Sequence, residues 1–367
     1  EMNVDQSVDM NKTFNAKVNI VDTTALTVNN PYKNDTGTLK KTIIDNAMLG
    51  IGSTQFGSEV TTFTSISGEN ERVLNTAPDD YGTSYYYRGN VLDNYVSFAD
   101  KTWRIVRING DGSVRLVLDS SAGGSTFNSS PNDNAYVGYM YGTPGSTTYD
   151  ATHENINDST IKTAVDKWYE DNLKTNYANY LADTLFCNDK TLASNGIGGV
   201  ATQLGYGTNE TYYASSERLE YSTGTTSITT AKPTFKCAEN ASNTYSRFTV
   251  DVATLSNGNK TNGNLKYPIG LLSADEVSFA GAYKYVANKS YYLYNSSMTS
   301  PWWLSSPSSY DGSDAYERGV TDDGYIGNLN VGYYFPFALR PSINLKASVL
   351  IGGGDGTKEN PYTVKLS

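Results

Sequence analysis

Polar and apolar residues change period several times along the chain, and each change marks an element. Residues 103–108 and 113–118, rich in Trp, Ile, Val and Leu, flank Asn109-Gly110-Asp111-Gly112, and this order predicts a β-hairpin. Tyr95-Val96-Ser97-Phe98 reads as a strand just before it. Elsewhere the spacing is helical. Leu39, Ile43 and Ala47, with Ile44 and Met48 beside them, form one face of a helix that ends near Gly50. Asn157-Asp158-Ser159-Thr160 supplies capping residues for a helix through Ile161, Val165, Trp168, Tyr169 and Leu173. Ser273 and Glu276 have capping-box spacing and open a shorter helix with Val277 and Ala280 facing inward.

Near the N-terminus, Phe14, Ala16, Val18 and Ile20 alternate with polar residues, the pattern of a half-buried strand. A strand outside the main domain needs an edge to pair with. The domain's own sheet is one partner; a neighbouring copy of the chain is the other, and donor-strand addition of that kind builds a fibre. A Gly/Ser/Thr-rich stretch running to Asp80 reads as loop or linker. The expected organisation is therefore an arm, helix and linker over 1–80, then one domain over 81–367. Hairpin, helix, a long Gly/Thr/Tyr-rich excursion over 194–264, helix and a final cluster of strands describe a mixed α+β domain.

That final cluster is the expected binding face. Its ends, Trp302-Trp303-Leu304-Ser305-Ser306-Pro307 and Arg340-Pro341-Ser342-Ile343-Asn344-Leu345, suit a buried pleated surface. Between them run Tyr310, Asp314, Tyr316, Arg318, Asp323, Tyr325, Asn328, Asn330, Tyr333 and Tyr334. Tyrosine offers rigid amphipathic area at low entropic cost and short polar side chains add adaptable hydrogen bonds, so these residues are the candidate ligand contacts.

The two end motifs, with Gly319-Val320-Thr321-Asp322-Asp323-Gly324-Tyr325 and the upstream runs Tyr85-Tyr86-Tyr87-Arg88-Gly89, Gly138-Tyr139-Met140-Tyr141-Gly142 and Phe186-Cys187-Asn188-Asp189, resemble an uncharacterised surface-protein domain family of gut Firmicutes. The resemblance covers the chain from about residue 81 onward. It implies a C-type-lectin-like fold, similar to that of formylglycine-generating enzymes. Joined to the reading of the residues, the expected architecture is antiparallel strands, two helices and a long insertion that a disulfide would restrain, behind the extended N-terminal arm. It also implies a bacterial cell-surface location.

Composition agrees with export. The chain has 367 residues, of which 30 are Tyr and only 18% are charged, and its net charge of −10 disfavours nucleic acid and anionic membrane as partners. No apolar run reaches the roughly 18 residues that span a bilayer, and no basic leader precedes Glu1, as in a mature or trimmed chain. Cys187 and Cys237 are the only cysteines. Paired in an oxidising compartment they would add roughly 4 kcal/mol on the chain-entropy model.

Catalytic chemistry is scarce. The single histidine, His153, lacks a nucleophile motif around it and reads as a surface residue. Two cysteines without a histidine cluster make no zinc site, and Asn109-Gly110-Asp111-Gly112 is turn chemistry rather than a calcium loop. The Glu-Pro-Asn and Trp-Asn-Asp motifs of calcium-dependent lectins are missing. The expectation is a non-enzymatic extracellular surface protein without cofactor or metal. Its partner is itself, as a filament subunit joined through the N-terminal strand; the alternative is an adhesin that binds a host or bacterial surface protein or a glycan through the Tyr-rich block.

Overall fold

The computed structural model describes residues 29–52, 54–64, 72–238 and 245–366. Phe14, Ala16, Val18 and Ile20 of the expected assembly strand lie outside the described residues. The first helix, α1 (Leu39–Leu49), begins where the Thr38 side chain accepts the Lys41 N–H and ends at Gly50 in the left-handed region (φ 62°), a conformation that favours glycine. Leu39, Ile43, Ile44 and Ala47 form its buried face.

Two sheets carry the molecule. The larger contains β1 (Arg72–Pro78), β2 (Thr83–Gly89), β3 (Tyr95–Phe98), β4 (Lys101–Ile108) and β5 (Val114–Leu118). Its organising strand is β4. One edge of β4 pairs with β5 across the expected hairpin, while the other edge is shared, with β3 at its start and β2 at its end. Arg72–Pro78 falls in the stretch expected to be linker, yet it pairs with β2 along its whole length. The second sheet is built on β6 (Trp302–Tyr310), β7 (Ala315–Val320) and β8 (Ile326–Asn330), joined as an antiparallel meander. Phe337–Ala338 runs parallel to β6 and pairs in turn with Gly124–Ser125, which forms the sheet's far edge. All nine residues of β6 are buried. Pro307 sits within it at a register shift, as a residue without an N–H donor requires. The chain returns to the larger sheet through β9 (Ser342–Leu345), paired with β5, and β10 (Tyr362–Val364), parallel to β3.

The other helices are α2 (Tyr149–His153), α3 (Thr160–Asn172), α4 (Ala214–Leu219) and α5 (Ala274–Ala280). Ser273 and Glu276 form the expected capping box, and every residue of α5 is buried, against β2, β6 and β8. Phe63, Tyr86, Phe235 and Phe279 pack ring against ring beside it.

The class is α+β, but the expected C-type-lectin-like domain with two helices is overturned. The described residues contain five helices and two main sheets that are open rather than closed into a barrel. The reason for the error is physical. Helix α4 buries Ala214, Ser215, Ser216 and Leu219, a set with no apolar period. Tertiary hydrogen bonds hold it instead: the hydroxyls of Ser215 and Ser216 donate to the carbonyls of Pro307 and Ser308 on β6. Helices of one or two turns owe their stability to such contacts and leave no periodic signal.

Candidate binding surface

Between β8 and the strand Phe337–Ala338 the chain projects Tyr333-Tyr334-Phe335-Pro336-Phe337. A tight turn sets the start of this ridge, with the Asn330 side chain accepting the Gly332 N–H at 2.9 Å and the Asn330 carbonyl accepting the Tyr333 N–H at 3.2 Å. Gly332 fits there because it lies against Pro131; a Cβ would stand 2.7 Å from that ring. The backbone bends at Tyr334 and Phe335 before Pro336 leads into the strand. Tyr333, Tyr334 and Phe335 are 41, 76 and 54% exposed, although an aromatic side chain ordinarily gains from burial.

The rings continue into the core. Phe127 meets Trp303 at 5.3 Å, Trp303 meets Phe337 at 5.2 Å, and Phe337 stacks on Tyr333 at 5.5 Å. Tyr333 then touches Tyr334 and Phe335. The Trp303 indole N–H donates to the Ser125 carbonyl at 2.8 Å, which fixes the base of this column to the sheet edge. An exposed aromatic cluster is thus anchored rigidly, so little ordering entropy remains to be lost on binding.

One groove adjoins the ridge at Pro336, and a second lies beyond the sheet edge at Ser125. One, of about 400 Å³, is lined by Ser120, Ser121, Ser297, Thr299, Ser300 and Met298, with glycine backbone, Pro336 and Ala338; no charged side chain enters it. The other, of about 500 Å³, lies between Ser125 and helix α3 and includes Tyr141, Asp158 and Lys167. Rings beside a hydroxyl-lined groove can stack on a ligand face and hydrogen-bond its edge.

The ten expected ligand contacts do not converge on one site. Tyr333 and Tyr334 are on the ridge, and Asn330 supports its turn. Tyr316 and Arg318 share one face of β7, opposite Asn330 and Asn328 on β8. There Arg318 is wholly buried. Its guanidinium pairs with Glu220 at 2.6 Å, donates to Ser216 Oγ at 2.7 Å and also bonds Asn328. Tyr285 donates its hydroxyl to Glu220 at 2.7 Å. Burial opposes the charge on Glu220, but Arg318 and the tyrosine hydroxyl outweigh it and hold the carboxyl below its usual range. Tyr310 is buried as well. Asp314 closes the β6–β7 turn through its N–H to Asp311, Asp323 pairs with Lys289 at 3.0 Å on the surface, and Tyr325 leans on Tyr285. Phe335 and Phe337 are parts of the ridge that the sequence reading passed over; the unbroken run Tyr-Tyr-Phe-Pro-Phe was the available signal.

Another polar cluster is interior. Glu276 accepts from Arg115 at 2.8 Å and Arg107 at 3.2 Å, and Arg107 also reaches Asp79 at 3.1 Å. These residues surround a cavity of about 20 Å³, room for a water rather than a substrate. His153, expected at the surface, is fully buried, with Nε2 2.8 Å from the Gly205 carbonyl and 3.2 Å from the Tyr213 hydroxyl. Burial, then Lys190, pushes its pKa well below the ordinary value, so it stays neutral. The helix α2 carries it inward, which a lone polar residue in a loop-like stretch did not reveal. Among the described residues no His, Cys, Asp and Glu group is placed to hold a metal ion, and no helix is long and apolar enough to cross a membrane. Cys187 and Cys237 form the disulfide, closing a separation of 50 residues.

No protein-family model, curated protein or solved structure matches the chain.

Proposed function

We propose that this protein is a non-enzymatic extracellular adhesin of a bacterial surface, and that it binds a neutral glycan across the ridge 333–337 and the adjoining hydroxyl-lined groove. The observation that carries the reading is the exposure of three packed aromatic rings on a column anchored at Trp303. Sugar C–H groups carry slight positive charge and pack on the negative faces of aromatic rings. The groove beside them offers serine and threonine hydroxyls without a fixed charge, which suits hydroxyl-bearing ligands and not ionic ones. The Cys187–Cys237 disulfide supports an oxidising compartment.

A glycan array probed with the labelled full-length chain tests this. Neutral oligosaccharides should be retained, and Tyr334→Ala with Phe335→Ala should reduce retention about tenfold or more, as removal of a binding hot spot does. Binding confined to protein probes, or glycan binding that survives the double substitution, would contradict the reading.

A further inference from the structure

Four lysines are buried among the described residues, and their partners differ: Lys40 pairs with Asp35 at 2.7 Å and Lys284 donates to the Glu220 carbonyl at 2.7 Å. Lys162, on α3, meets a carboxylate, Asp166, at 2.7 Å. Lys190 meets an amide. Its Nζ lies 2.6 Å from Asn155 Oδ1 and 3.0 Å from the His153 carbonyl. Lys190 is 0% exposed and Asn155 is 6% exposed. The Asn155 amide is held in turn, donating to the Tyr245 carbonyl at 3.1 Å, and the Tyr149 hydroxyl fixes the Lys190 backbone at 2.9 Å. Phe248 presents its ring 5.8 Å from Nζ and helps to exclude water.

A buried carboxyl completes the group. Glu317, on β7, is 0% exposed; Oε1 accepts the Gly138 N–H, and Oε2 has no hydrogen-bond partner. Glu317 and Lys190 approach the same backbone, since a Cβ at Gly138 would stand 2.8 Å from Lys190 Cε. A buried carboxylate oxygen without a donor is costly unless the group is protonated or has a task. We propose that Lys190 and Asn155 join in an intramolecular isopeptide bond, with Glu317 carrying the proton.

Burial pushes the Lys190 amine down to about 7 and the Glu317 carboxyl well above its ordinary range. Amine and carboxylic acid therefore coexist as neutral groups near neutral pH, the state that makes the amine a nucleophile. The Nζ lone pair attacks Asn155 Cγ and forms the N–C bond. As the Cγ–Nδ2 bond breaks, Nζ gives up a proton and Nδ2 gains one; Glu317, held on the Gly138 N–H beside Lys190 Cε and outside ion-pair distance of Nζ, closes on the amine to relay that proton. Ammonia leaves, one amide replaces another, and no oxidant, reductant or cofactor is consumed. The bond would close a separation of 35 residues that spans α3. It would begin three residues from Cys187, so two covalent ties would brace the same part of the chain.

Intact-mass spectrometry of the full-length protein, reduced and unreduced, decides the matter. The chain should weigh about 17 Da less than its sequence requires after allowance for the disulfide, one ammonia being lost. Proteolysis should release a branched peptide joining Asn155 to Lys190. Lys190→Arg should restore the full mass, and Glu317→Gln should leave the purified chain at the uncross-linked mass while far-ultraviolet circular dichroism reports an unchanged fold. A wild-type chain of full mass would overturn the proposal. So would a mass loss without the branched peptide, which marks a succinimide at an asparagine, or a loss that persists in Lys190→Arg. A linkage formed as quickly in Glu317→Gln would remove Glu317 from the reaction. None of these outcomes depends on ligand binding.

Discussion

The ridge at 333–337 and the face of β7 and β8 both carry tyrosines, and the two regions use them in opposite ways. On the β7–β8 face Tyr285 ends on Glu220, Asn328 lies between Arg318 and Tyr285, and Arg318 is spent on a buried ion pair. Burial, reinforced by Asp311, lifts the Tyr316 hydroxyl to about 12, so it remains a neutral donor there. On the ridge, rings pack on rings and then face water. Residue types suited to recognition therefore mark a binding surface only where the fold leaves them unsatisfied. Arg318 and Glu220, turned inward, make a buried polar pair that specifies how α4 meets the second sheet, while Tyr285, 49% exposed, closes its rim through its hydroxyl.

Substitutions should separate the two regions by size of effect. Arg318→Ala leaves Glu220 buried without its partner and should destabilise the fold by about 3–5 kcal/mol, read from denaturant unfolding. If the loss is below about 1 kcal/mol, the pair behaves as an exposed one and the contrast fails. Replacing Cys187 and Cys237 by serine should cost about 2–4 kcal/mol, with glycan retention by the folded fraction unchanged because the disulfide is not among the residues of the ridge or its groove.

Acid should act on the interior first. The carboxyls of Glu220 and Glu276 are buried, which opposes their charge, but Arg318 and Arg115 hold both below the ordinary range. A group whose folded pKa is depressed contributes stability above its unfolded pKa and loses it as pH falls through the folded value. Stability should therefore decline from about pH 4.3 downward, with a shallower decline in Arg318→Ala; pH-scanned thermal melts would show it. The smallest change in stability belongs to the ridge, where Tyr334→Ala should stay within about 0.5 kcal/mol by the same denaturant measurement, as surface substitutions usually do.

Regular elements with strong periods or caps were legible in the sequence: α1 from Leu39 to its Gly50 cap, the hairpin around Asn109–Gly112, the helix that Ser159 caps and the Ser273–Glu276 capping box. The branching of the larger sheet at β4 was not. It depends on β2 and β3 dividing one edge of a strand, and that division leaves no mark on local pattern. Arg318 and Tyr310 looked like surface residues because their partners, Glu220 and the buried second sheet, are supplied by distant segments. The group of Asn155, Lys190 and Glu317 was hidden for the same reason. Each residue is ordinary alone, and only the fold brings an amine against an amide in a dry interior.

Retention of three full-length chains on one neutral-glycan array tests the central claim most directly: wild type, Tyr334→Ala with Phe335→Ala, and Tyr316→Ala. With the melting temperature of each chain recorded beside it, the account predicts that retention falls only in the ridge variant while its melting temperature holds. Retention lost in Tyr316→Ala and preserved in the ridge variant would place recognition on the β7–β8 face and contradict the account.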